Sequence, residues 1–201
     1  MYASASTVEF TTDAPLPYST YRFTVDEFYR LADVGILDEN DRVELINGQI
    51  LVMEPISSEH GGHTSALIHL FAPLIGDRAI IWAQNAIQID QYNHPQPDFT
   101  LCRPRDDFYK SSHPRPSDIL LLVEVAWTSA ARDRRLKVPL YGREGITEFW
   151  LIDIPRRTLE VYTCPSTDGY DRVARLRAGE TVRPVAFGDL EIRIEDVVNL
   201  D

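Results

Sequence analysis

The spacing of apolar residues changes along this chain, and each change marks an expected element. From Thr24 it is helical: Val25, Phe28, Leu31 and Ala32 share a stripe, Thr24 and Glu27 make a T-x-x-E capping box, and Gly35 supplies a stop. Val43 to Met53, VELINGQILVM, reads instead as two short strands around Asn47-Gly48, a dipeptide suited to a type I′ turn because both central residues need positive φ. Ser57 or Ser58 then caps a helix running to about Ile75, with Leu67, Ile68, Phe71, Leu74 and Ile75 as its apolar face. Residues 79–82 and 86–89 are β-prone. Pro97, which lacks an amide donor, places Asp98 at the start of the next strand.

The stretch Ile119 to Lys137, ILLLVEVAWTSAARDRRLK, organises the rest. Leu120 to Val123 and Val125 form a continuous apolar run, expected as a strand covered on both faces, with Glu124 inside it. Ser129 can cap a following helix whose inward stripe is Leu136, Leu140 and Tyr141. Asp133 and Lys137 share a face of that helix, ordinarily an exposed ion pair, and Pro139 is expected to kink it just after Lys137. EFWLIDI and LEVY flank Pro155-Arg156-Arg157-Thr158 as an antiparallel hairpin, and a further strand pair is expected around 170–176 and 190–194. Residues 1–20, rich in Ser, Thr and Pro, read as a mobile arm, and 21–201 as a single domain without repeats or linkers.

Charge narrows the function. A formal net charge of −11 argues against broad neutralisation of phosphates, leaving room only for a local basic groove. Arg103 to Asp118 is locally basic with interleaved aromatics, either a phosphate-touching loop or a solvated connection. Cys102 and Cys164 make neither a disulfide framework nor a CxxC knuckle, and no stretch has a secretory or membrane-spanning pattern. The expected compartment is the cytoplasm, with no membrane partner.

An ionised carboxylate buried without partners costs several kcal/mol, so Glu124 must be protonated, paired or bound to a cation. Adjacent strands can bring Asp98 to it, and Lys137 lies on the helix directly downstream. Two carboxylates with strand-end carbonyls and water suit a hard cation, Mg²⁺ first and Mn²⁺ in its place. Such a cation with a nearby lysine suits phosphodiester hydrolysis. His60 and His63 stand near one helical turn apart, but Gly61-Gly62 loosens the geometry and no third ligand is close, so they are not read as a metal site. Strand alternation puts Glu44 on the face of Ile46, ordinarily a solvated position.

These pieces, in order, resemble the Uma-two family of endonucleases within the PD-(D/E)XK restriction-endonuclease-like superfamily. They are VELINGQI, Pro97-Asp98, Leu122-Val123-Glu124-Val125, Asp133-x-x-x-Lys137, EFWLID and LEVY, within about Tyr21 to Val198. The resemblance implies an α/β fold, a restriction-endonuclease-like mixed β-sheet flanked by helices with additional antiparallel hairpins, and a Mg²⁺-dependent endonuclease acting on DNA as a homodimer. By position it implies metal ligation by Asp98, Glu124 and the Val125 carbonyl, and catalytic roles for Glu44, Asp98, Glu124 and Lys137. The parent pattern puts its lysine two residues after the acid, where this chain has Ala126; the family's helical position matches Lys137. Ala126-Trp127-Thr128-Ser129 replaces the family's Ser/Pro-rich segment, and Pro139 is unusual there. The alternative function is a non-catalytic binding or regulatory module on the same fold. A glycoside hydrolase using Glu124 and Asp98 ranks behind both, because it gives Lys137 no role.

Overall fold

The capping box at Thr24 forms as expected. The Thr24 amide donates to Glu27 Oε2 at 2.9 Å and the Glu27 amide to Thr24 Oγ1 at 3.3 Å, opening α1 (Val25–Asp33). The hairpin of β1 (Val43–Ile46) and β2 (Gln49–Val52) follows, with φ of 52° at Asn47 and 74° at Gly48, the left-handed pair a type I′ turn requires. Ser57 caps α2 (Ser58–Ile75), accepting from the His60 amide at 3.2 Å. Of its expected apolar face Leu67, Phe71 and Ile75 are buried, whereas Ile68 and Leu74 are exposed. This computed structural model describes residues 19–38, 40–55 and 57–199, so nearly all of the arm expected over residues 1–20 lies outside the described residues.

Six strands then make one mixed sheet, in the order β3 (Ile80–Ala83), β4 (Phe99–Cys102), β5 (Ile119–Ala126), β6 (Glu148–Asp153), β7 (Thr158–Ser166) and β8 (Gly169–Leu176). Only β5 and β6 pair in parallel, and α3 (Ala130–Arg143) provides the crossover between them. Leu121, Val123 and Val125 pack in the core with Leu67, Phe71 and Trp150 on the α2 side, while Leu122 and Ala126 pack with Leu140, Tyr141 and Phe149 on the α3 side. Period-2 alternation therefore gives Glu124 the α3 face. Pro139 does not end α3, which continues to Arg143.

The chain closes with β9 (Thr181–Val182), β10 (Ile192–Arg193) and α4 (Glu195–Val198), whose Val197 and Val198 join the α2-side core. Two strand expectations are corrected. Residues 86–89 are not a strand, because the amides of Ile87, Gln88 and Ile89 donate to the carbonyls of Pro95, Pro114 and Asn93 in neighbouring loops. Residues 170–176 and 190–194 do not pair with each other; β8 adds to β7, and β10 pairs with β9. Among the described residues no helix is long and apolar enough to cross a membrane.

Candidate active site

Four elements deliver carboxylates to one small cleft. Glu44 comes from β1, Asp98 from the residue before β4, Glu124 from β5 and Asp133 from α3; with Lys137 and Val125 they line a pocket of about 150 Å³. The pairing of β4 with β5 sets Phe99 opposite Val123, which brings the end of the Asp98 side chain beside Val125. The Val125 amide donates to Asp98 Oδ2 at 2.7 Å, and His60 Nε2 donates to Asp98 Oδ1 at 2.6 Å. Both oxygens of Asp98 are thus oriented before any ligand arrives.

Glu124, 4% exposed, solves its burial problem with two donors on one oxygen. Lys137 Nζ and the Tyr141 hydroxyl donate to Oε1 at 2.9 and 2.8 Å. Lys137 is also 3.5 Å from Glu44 Oε2 and 3.9 Å from Asp133 Oδ1, so one ammonium serves three carboxylates. The main-chain N–H of Gln96 donates to Glu44 Oε2 at 3.3 Å, and Ser129 Oγ donates to Asp133 Oδ2 at 2.5 Å. Asp133 and Lys137 are therefore no exposed pair, and Glu44 is no solvated strand residue: all three are buried.

Burial alone would lower the pKa of Lys137, but Glu124, Glu44 and Asp133 outweigh it and push it up, keeping the ammonium charged. Glu124 is raised by burial first and then by Asp98, Asp133 and Glu44, against the pull of Lys137. Asp133 is also raised, chiefly by burial. The hydrogen bond to Asp98 raises the pKa of His60. Burial thus disfavours the ionised forms of Glu124 and Asp133, and an added cation beside them would favour those forms.

The donor set fits a hard divalent ion. Among the described residues no three His, Cys, Asp or Glu side chains form a ready-made metal cage. Mg²⁺ does not need one, since it binds through one or two carboxylates and keeps waters and substrate phosphates in its other positions. Both side-chain hydrogen bonds to Glu124 fall on Oε1, leaving Oε2 for a ligand, and Asp98 and Val125 line the same cleft.

The structure thus brings together every site residue expected from the sequence: Glu44, Asp98, Glu124, Val125 and Lys137. It adds three more: His60, which the sequence pairs only with His63; Tyr141, which lies on the apolar stripe of α3; and Asp133, which shares a helical face with Lys137. Only Asp133 had a usable signal, its shared helical face with Lys137. The His60–Asp98 and Tyr141–Glu124 contacts depend on tertiary packing.

A family profile described as "Putative restriction endonuclease" (Uma2) matches residues 25–195. Among solved structures, the fold is similar to a "putative nuclease belonging to DUF820 from Anabaena variabilis ATCC 29413", at 17% identity and a TM-score of 0.69, covering 89% of this chain and 98% of that one. Comparison with curated proteins finds no match.

Proposed function

The chain belongs to the family of that description, and on this premise we propose that it is an endonuclease hydrolysing phosphodiester bonds in DNA, with Mg²⁺ as its cation and Mn²⁺ able to replace it. The observation that carries the reading is the convergence of Asp98, Glu124 and Lys137 from three separate elements on one cleft. Asp98, Glu124 and the Val125 carbonyl would hold the ion. When bound, it would polarise the scissile phosphate and lower the pKa of a bound water.

The remaining work falls to the chain's own groups. Lys137, kept protonated by its carboxylate neighbours, is no general base; it places positive charge where negative charge develops on the phosphate. Glu44 and Asp133 flank its ammonium and hold it in position. His60 and the Val125 amide fix Asp98, so little reorganisation is left for the reaction. Arg42 and Arg132 also line the cleft and offer phosphate contacts on an otherwise acidic protein. The same reading includes a homodimer and a cytoplasmic location.

Incubation of the purified protein with plasmid and circular single-stranded DNA, with Mg²⁺, Mn²⁺ or EDTA, tests the activity. Internal cuts that need a divalent ion and disappear in Asp98→Asn are expected. Metal binding with no cleavage of either circle would return the site to the binding-module reading.

A further inference from the structure

Trp127 directly follows the strand that carries Glu124, yet nothing in the proposed hydrolysis uses it. The residue is 50% exposed, an unusual setting for so much apolar surface. Trp127 lines two pockets at once, the catalytic cleft and a neighbouring space of about 600 Å³, and so stands as the wall between them. The backbone before it is held, the Ile154 amide donating to the Ala126 carbonyl at 3.0 Å, and after it the Thr128 side chain donates from Oγ1 to Glu54 Oε2 at 2.7 Å. An aromatic ring open to solvent at the end of an anchored strand can serve as a stacking plate.

The space beyond it has the matching character. Ile154 and Pro155 give it apolar surface, Glu59 and His63 give it polar edges, and Arg157 and Glu59 bring opposite charges, so it does not suit a run of phosphates. It suits a flat, uncharged group with hydrogen-bonding edges. With a scissile phosphate in the catalytic cleft, the group one sugar away has that chemistry: a nucleobase. In an intact duplex both faces of a base are covered by its neighbours, so a base can reach Trp127 only from a single strand or by leaving the stack.

Resting on the nuclease reading, we infer that Trp127 stacks an unpaired base beside the scissile phosphate, so that the site selects single-stranded or extruded nucleotides over intact duplex DNA.

The test separates binding from cleavage by working in EDTA. Protein labelled with 5-fluorotryptophan gives signals from Trp82, Trp127 and Trp150, and Trp127→Phe identifies the second. A short single-stranded DNA oligonucleotide of mixed sequence shifts the Trp127 signal and leaves that of buried Trp150 in place. By fluorescence anisotropy Trp127→Ala weakens single-strand binding about 5- to 150-fold, Trp127→Phe retains most of it, and a blunt-ended, fully paired linear duplex binds all three proteins alike. Single-strand binding by Trp127→Ala at wild-type affinity overturns the inference. So does a Trp127 signal that follows protein concentration instead of DNA, which would assign the ring to a contact between copies, or a protein that binds no DNA. If Trp127 takes single strands but Mg²⁺ and Mn²⁺ support no cleavage, the hydrolase reading falls and this one stands. If cleavage occurs and Trp127→Ala discriminates single strand from duplex as the wild type does, the reverse holds.

Discussion

At the scale of single residues, Lys137 and Glu124 are not equivalent halves of an ion pair. Removing the ammonium takes from buried Glu44, Glu124 and Asp133 the cation they share, whereas removing the Glu124 charge still leaves Lys137 two carboxylates. Lys137→Met should therefore lower stability by about 3 kcal/mol or more and Glu124→Gln by only about 1 kcal/mol, as read by urea unfolding in EDTA. Both should lose about 100-fold or more in cleavage rate. Equal stability losses would contradict the assignment of Lys137 as the shared counter-ion. A second residue-scale prediction concerns His94. The His113 Nδ1–H donates to the Ala86 carbonyl at 3.1 Å, so its Nε2 accepts from the Tyr29 hydroxyl at 2.8 Å, and Tyr29 in turn accepts from His94 Nε2 at 2.8 Å. Burial, followed by repulsion from His113 and against a smaller opposing pull from the Ile87 backbone, lowers the pKa of the buried His94 from 6.5 to about 4. Between those values the unfolded chain binds the proton and the folded one does not, so stability falls as pH drops from 6.5 towards about 4. The loss attributable to His94 should reach about 2 kcal/mol by about pH 5, and His94→Gln should remove that part of the slope in parallel urea titrations. The carboxylates of the site were legible in the sequence because a glutamate inside an apolar strand is an energetic anomaly. His94, Tyr29 and His113 lie far apart in sequence, and no local pattern announces them.

At the scale of elements, the site depends on how closely α3 approaches the sheet. A methyl group on Gly142 would lie 1.8 Å from the Gly169 carbonyl oxygen at the start of β8, so the helix carrying Lys137 would have to move. Gly142→Ala should cost about 1–3 kcal/mol by thermal or urea unfolding and should also reduce cleavage, because Lys137 shifts with the helix. Unchanged stability would mean that α3 accommodates the methyl without displacement. The elements that local chemistry specifies were readable: the capping box of α1, the Asn47-Gly48 turn, and the apolar run of β5. Residues 86–89 were not, since their β-prone side chains pack inward while their amides bond to loops. The partner of β8 had a local signal, since only Thr167 and Asp168 separate β7 from β8, the connection of a tight hairpin. Pro139 costs α3 one amide hydrogen bond without ending it, since the packed helix outweighs a local preference.

At the scale of the whole molecule, a protein with net charge −11 gathers Glu44, Asp98, Glu124 and Asp133 into one cleft beside Arg42, Arg132 and Lys137. A divalent ion bound there stabilises only the folded chain. At ten times its Kd, Mg²⁺ should add about 1.4 kcal/mol of stability, visible as a rise in Tm for the wild type and absent in Asp98→Asn. An equal rise in the variant would place the ion elsewhere. The global charge alone pointed away from nucleic acid; the order of motifs along the chain pointed towards it, and the fold brings those motifs to one place. The most direct test is the anomalous difference density of a crystal soaked in Mn²⁺. A single strong peak bridging the carboxylates of Asp98 and Glu124 and the Val125 carbonyl is expected. A well-ordered cleft with no peak, and Lys137 still bonded to Glu124, would contradict the metal site on which this function rests.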